Sequence, residues 1–191
     1  MLEKKAIVTT PTVFPGSRAI ATGVLGTIVF ATLTFVGANI VIPLQPVPVT
    51  LQTLFVLLAG SILGRGRGGL SQSLYIVSGF ALPVYAGGAV GLAVIAGPTG
   101  GFLMSFAVAP LVVGWMIRRS DSLAWHVASF VTGTLVIFAM GVTHLAVFYT
   151  DGLASALRVG LLPFIPGAVL KVIAAVSIHR SYTALARRRR G

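Results

Sequence analysis

Few residues in this chain have the type and setting for chemistry. Lys171 is the one cation that falls well inside a long apolar stretch. A charge at such a position is expensive and marks a functional site by default. The bland alternative is a side chain that snorkels to an interface, but Lys171 lies several residues inside its stretch, which favours ligand contact. Thr50, Gln52 and Thr53 sit together at the start of a second apolar run. Gly97-Pro98-Thr99-Gly100-Gly101 opens a third, where glycines permit close approach to the free N–H groups of a helix start, an anion cradle with Thr99 and Gly100 at its centre. The plain reading of the same glycines is turn formation and helix packing. Before the cradle, Leu82-Pro83-Val84-Tyr85-Ala86-Gly87-Gly88 and the residues on to Gly97 carry no charge and much glycine. Irregular backbone at membrane depth survives only when buried or lining a cavity, so this segment reads as a lid over a pocket, bringing Tyr85, Gly87 and Gly88 to it. Lysine, cradle and chargeless lid together favour a small organic anion.

Other chemistries lack their residues. His126 and His179 fall near the ends of their stretches, at the interface, with no metal-site spacing, and His144 reads as a packing histidine. The acids are Glu3, Asp121 and Asp151, none inside an apolar stretch, so ion-coupled transport has no visible coupling carboxylate. There is no G-x4-G-K-[ST] loop for ATP, no Ser–His–acid set, no pair of carboxylates and no cysteine. No catalytic residue, resident cofactor or metal site is therefore expected.

The elements that must position these residues follow from composition. The 191 residues are 56% hydrophobic and 9% charged, against about a quarter charged in soluble domains, which excludes a cytosolic enzyme and a disordered chain. The net charge of +11 suggests nucleic acid, but a soluble basic face cannot be built from this composition. A bilayer-spanning helix takes ~20 apolar residues. The expected fold is all-α, a polytopic membrane protein with six transmembrane helices: about Ala19–Ile42, Pro48–Leu63, Leu70–Phe80, Pro98–Ile117, Leu123–Tyr149, and Leu162 or Gly167 to the terminal arginines. The irregular outer lid lies between the third and fourth, and Gly64 to Gly69 form a glycine-rich turn. Residues 1–17 do not read as a signal peptide but as a cytoplasmic N-terminal segment, residues 18–186 as the membrane domain, and 187–191 as a basic cytoplasmic tail. Twelve of fourteen bases fall on one side of this arrangement, so both termini are expected in the cytoplasm of a multi-pass plasma-membrane protein. The Arg-rich tail reads as a topogenic signal at anionic headgroups rather than a nucleic-acid arm. Spans two, four and six then start on the outer face and gather their positive dipole ends there. In the first span Ala19, Gly23, Thr27 and Ala31 recur every four positions, a small-x3-small row for close helix approach, inside the bundle or onto a partner.

Pro46-Val47-Pro48-Val49-Thr50-Leu51-Gln52-Thr53, Leu57-Leu58-Ala59-Gly60, the Leu82–Gly88 segment, Gly97–Gly101 and Leu162-Pro163-Phe164-Ile165-Pro166-Gly167 appear in that order. In this combination, over about Ala31 to Lys171, the chain resembles the BioY family, biotin-specific substrate-binding (S) components of energy-coupling-factor (ECF) transporters. The resemblance implies six helices, capture of biotin from outside, and release inside driven by a transmembrane coupling protein and a pair of cytoplasmic ATPases. A stand-alone facilitator for biotin or a related heterocyclic acid is the alternative. It also implies docking on the coupling protein through a first-helix small-x3-small motif, for which Gly23, Thr27 and Ala31 are the nearest matches. The family's last span commonly carries an acid three residues before its lysine, and here that position is Ala168. Either Gln52 or a lid carbonyl then accepts from the ureido N–H groups, or the ligand preference or affinity differs. Tyr85 stands where phenylalanine is common and adds a hydroxyl that would compensate.

Overall fold

The computed structural model describes residues 17–188. The expected N-terminal segment up to residue 16, and Arg189, Arg190 and Gly191 of the basic tail, lie outside the described residues. The helices are α1 (Ser17–Asn39), α2 (Gln52–Leu63), α3 (Arg65–Ser78), the short α4 (Leu92–Ala96), α5 (Gly100–Met116), α6 (Leu123–Phe148), α7 (Leu153–Gly160) and α8 (Ile165–Arg188). Strands β1 (Val41–Ile42) and β2 (Val49–Thr50) form a small antiparallel hairpin. By length and composition four helical stretches are apolar enough to cross a membrane: Ile20–Asn39, Gly100–Arg119, Leu123–Phe148 and Leu153–Arg188. The protein is a multi-pass membrane protein. α2, equally apolar, has 12 residues. That is roughly 18 Å of helix against a hydrocarbon core of about 30 Å.

α1 shows how the bundle distinguishes lipid from neighbour. Val24, Leu25, Ile28 and Val29 are exposed, as befits side chains that meet acyl tails, whereas Thr27, Phe30, Ala31 and Thr34 are buried. On that buried stripe Thr34 Oγ1 lies 2.9 Å from the Phe30 carbonyl and 3.0 Å from Gln72 Oε1 of α3. Gln72 in turn donates to Ser71 Oγ. With little hydrophobic drive between helices in lipid, such hydrogen bonds and close-packed small residues hold the bundle. The Gly23–Thr27–Ala31 row belongs to this internal stripe. Thr27 and Ala31 are 6% and 9% exposed, and a side chain at Gly23 would run into the Arg67 guanidinium of α3. Within this chain the row therefore lies on the face of α1 that turns toward α2 and α3.

Four element boundaries also differ from expectation. The first span ends at Asn39 rather than Ile42, and the second starts at Gln52 rather than Pro48. Between them the hairpin pairs Val41 with Thr50 and Ile42 with Val49, and prolines 43, 46 and 48 lack the N–H groups a helix needs. The Gly64–Gly69 turn shrinks to Gly64, with φ +82°, and α3 runs from Arg65 through the other glycines. Those glycines serve contact: a Cβ at Gly68 would lie 2.8 Å from the Ala59 carbonyl oxygen, and one at Gly60 2.6 Å from that of Pro110. Helices α2, α3 and α5 therefore touch backbone to backbone. Finally, the segment around Arg158, expected as a loop, forms α7, which buries Ala156 and Gly160 and leaves Arg158 exposed.

Candidate functional site

At one end of the bundle, where α2, α5 and α8 all begin, a cavity of about 220 Å³ opens. Its wall is assembled from five places. The approach to α2 gives Val47, Pro48 and Thr50, and its first turns give Gln52, Thr53 and Leu57. The segment between α3 and α5 gives Tyr85, Ala86, Ala89, Val94 and Thr99. α5 adds Phe102, Leu103 and Phe106, α6 adds Thr134, Ile137 and Phe138, and the turn into α8 with its first turns adds Phe164, Ala168 and Lys171. The apolar wall with few polar groups is the usual make-up of a small-molecule site.

Lys171 enters about 9 Å along α8. Its ammonium donates to Thr53 Oγ1 at 2.7 Å and to the Thr50 carbonyl at 3.0 Å. An ammonium has three donors, so one remains for a ligand. Among the described residues it meets no carboxylate: Asp121 pairs with Arg187 at 2.6 Å, and Asp151 is exposed on the turn before α7. Ala168, one turn earlier on the same face, also lines the cavity and supplies no charge. Three helix N-termini and one uncompensated ammonium make this end of the cavity positive.

Gln52 is 4% exposed and is held from both sides. Its Oε1 accepts from the Thr50 hydroxyl at 2.7 Å, and its Nε2 donates to the Tyr75 hydroxyl at 2.6 Å. Tyr75 passes the chain on, donating to the Val84 carbonyl at 3.0 Å. Tyr75 does not line the cavity but holds Gln52, a role whose one signal in the sequence is a tyrosine among the polar residues of the third span. The chain ties the floor of the cavity to the segment above it.

That segment is pinned elsewhere too. The Tyr85 hydroxyl donates to the Ile76 carbonyl at 2.6 Å, its ring packs edge-on against Tyr75 at 5.9 Å, and the Gly91 N–H bonds the Gly79 carbonyl at 2.8 Å. The Tyr149 hydroxyl bonds the Ala96 carbonyl. The Tyr85 hydroxyl proton is thus committed to the Ile76 carbonyl, while Tyr85 itself lines the cavity.

Of the expected site residues, the structure brings Gln52, Tyr85, Thr99 and Lys171 together on one wall. Gly87 and Gly88 are not on it. They are exposed, with φ +70° and +75°, and form the turn that lets Tyr85 and Ala89 point inward. Gly100 is not on it either. Its N–H bonds the Gly97 carbonyl at 3.0 Å, and a Cβ there would strike the Ile95 carbonyl. Gly101 likewise abuts His144, whose Nε2 lies 3.1 Å from the Gly97 carbonyl. Gly100 and Gly101 thus pack against α4 and α6, and of the Gly97–Gly101 segment it is Thr99 that lines the cavity. His126 and His179, expected at the interface, are 4% and 6% exposed at the other end of the bundle. Among the described residues no cluster of His, Cys, Asp or Glu is fit to hold a metal.

Comparison with known proteins places the chain in a family. The model of a family described as the BioY family matches residues 10–188. The biotin transporter BioY of Thermotoga maritima is 40% identical over 151 residues, 78% of this chain and 89% of that protein. The probable biotin transporter BioY of Pyrococcus horikoshii is 40% identical over 153 residues, 78% of this chain and 88% of that one. Among solved structures, a crystal structure of the S-component for biotin from an ECF-type ABC transporter superposes with a TM-score of 0.83 at 23% identity, covering 90% of this chain and 95% of that one. At that identity the likeness establishes the shared fold.

Proposed function

The chain belongs to the BioY family, and on that premise we propose that it captures biotin in the cavity beside Lys171 and carries it inward as the S-component of an ECF-type transporter. It is a transport protein, not an enzyme. The observation that carries the ligand assignment is Lys171: a partly buried ammonium with a free donor and no carboxylate beside it, facing an apolar cavity. The valerate carboxylate of biotin answers that charge, and the fused rings answer the wall of Leu57, Phe102, Phe106, Ile137 and Phe164. The ureido group must find its acceptors among neutral groups, since residue 168 is alanine. The second lone pair of Gln52 Oε1, Thr99 Oγ1 and Thr134 Oγ1 are such groups on the wall.

In this reading α2 and α3 complete six membrane-crossing helices as shorter members, with Leu70, Leu74 and Val77 of α3 turned to lipid. The segment from Gly79 to Thr99 is the lid, and the cavity mouth faces the outside. Both termini and the loops bearing Arg65, Arg67, Arg118 and Arg119 face the cytoplasm, as the placement of basic residues favours. Concentrative uptake requires energy from partners, a transmembrane coupling protein and a pair of ATPases, because the chain has neither a nucleotide loop nor an intramembrane acid.

The test is uptake of radiolabelled biotin by cells lacking their own transporter. Accumulation against a gradient only when coupling protein and ATPases are co-expressed supports the proposal. Equilibration without partners favours the stand-alone facilitator instead.

A further inference from the structure

Biotin capture makes no use of the opposite end of the bundle, where the first turn of α6 meets the last turns of α8. There a second cavity, about 120 Å³, is lined by Asp121, His126, Arg180, Thr183, Ala184 and Arg187. His126 is 4% exposed, and beyond a contact with the Ser120 backbone its ring nitrogens have no hydrogen-bond partner. His179 packs edge-on against it with ring centroids 4.9 Å apart, and its Nδ1 is unpartnered as well. Buried imidazole nitrogens left unpaired cost stability, and nearly all such groups in native proteins have a partner. The cavity beside His126 is where that partner belongs.

Its chemistry follows from the lining. Arg187 is paired with Asp121 at 2.6 Å, which leaves the Arg180 guanidinium in excess. The two guanidinium groups disfavour a metal cation. The start of α6 adds the positive end of a helix dipole. A guanidinium, the Thr183 hydroxyl and an imidazole N–H together suit a group with several acceptor oxygens. Both tryptophans stand at this end: Arg119 stacks on Trp115 at 3.7 Å, and Trp125 Nε1 donates to the Met116 carbonyl. Tryptophans mark headgroup depth. We propose that this cavity is a phosphate-group site, filled in the membrane by the headgroup of an anionic phospholipid.

The test uses the full chain, purified in neutral detergent and stripped of lipid. Its thermal midpoint is followed while phosphatidylglycerol, a phosphate-free glycolipid or inorganic phosphate is titrated in. The comparison is the double variant Arg180→Gln/Thr183→Val, two positions away from the biotin cavity, with circular dichroism as the check on folding. The proposal expects a saturable rise with phosphatidylglycerol and none with the glycolipid. In the double variant the apparent Kd for phosphatidylglycerol weakens by about tenfold or more. A rise with inorganic phosphate alone, also lost in the variant, keeps the phosphate site and assigns it to free phosphate. Equal responses of parent and folded variant, or of phosphatidylglycerol and glycolipid, overturn it. Should the double variant fail to fold, Arg180→Gln alone, an exposed position, is read by the same criteria.

Discussion

Replacing Lys171 by methionine isolates the contribution of charge at the site. Methionine keeps an unbranched apolar stem of similar length and is a good helix former, so α8 is retained. The substitution removes two internal hydrogen bonds, to Thr53 Oγ1 and the Thr50 carbonyl, and the third donor that faces the cavity. For the bound ligand the loss is one charge-assisted hydrogen bond, roughly 1.5–3 kcal/mol. That converts to a biotin Kd weaker by about one to two decades. Isothermal titration with biotin and with its methyl ester turns this into a cycle. In the parent the ester should bind more weakly than the acid by about the same one to two decades, because it offers Lys171 no charge. In Lys171→Met the acid and ester should bind alike. If the variant binds biotin as tightly as the parent, or still prefers acid to ester, the lysine is not the carboxylate partner.

Tyr75→Phe should leave Gln52 Nε2 and the Val84 carbonyl without their shared partner and loosen the segment above the cavity. Biotin dissociation followed by stopped flow should accelerate by about tenfold, one unsatisfied buried group's worth. Ala31→Leu should lower the thermal midpoint of the detergent-solubilised protein, since overpacking a buried helix contact costs about 1–3 kcal/mol. A surface for partner docking would instead tolerate leucine and lose only uptake. For orientation, single cysteines placed in this cysteine-free chain should react with an impermeant maleimide added outside whole cells at Asp151 and not at Ser120. The reverse pattern would invert the topology.

Composition alone made the membrane class legible, because 9% charge cannot clothe a soluble globule. Lys171 was legible for the same reason: one cation in an apolar helix has few excuses. The partners of that cation were not, since the Thr50 carbonyl is a backbone group that any residue supplies. Glycines misled most. Gly66 to Gly69 look like a turn and lie in a helix, and Gly100 looks like an anion cradle and is a packing joint. Glycine is equally the residue of sharp turns and of backbones that touch, and only the neighbouring helix decides between them. The row at Gly23, Thr27 and Ala31 has the same ambiguity, and within this chain it is buried. Nor does local sequence show where a hydroxyl will turn: Tyr85 meets Ile76, nine residues earlier.

Whether the cavity beside Lys171 takes biotin is decided by titration calorimetry of the purified full chain. The protein is titrated with biotin and, in parallel, with a panel of other vitamins. Biotin should bind saturably at one site, with the other vitamins producing no binding heat. No heat with biotin, together with tight binding of another vitamin, would contradict it.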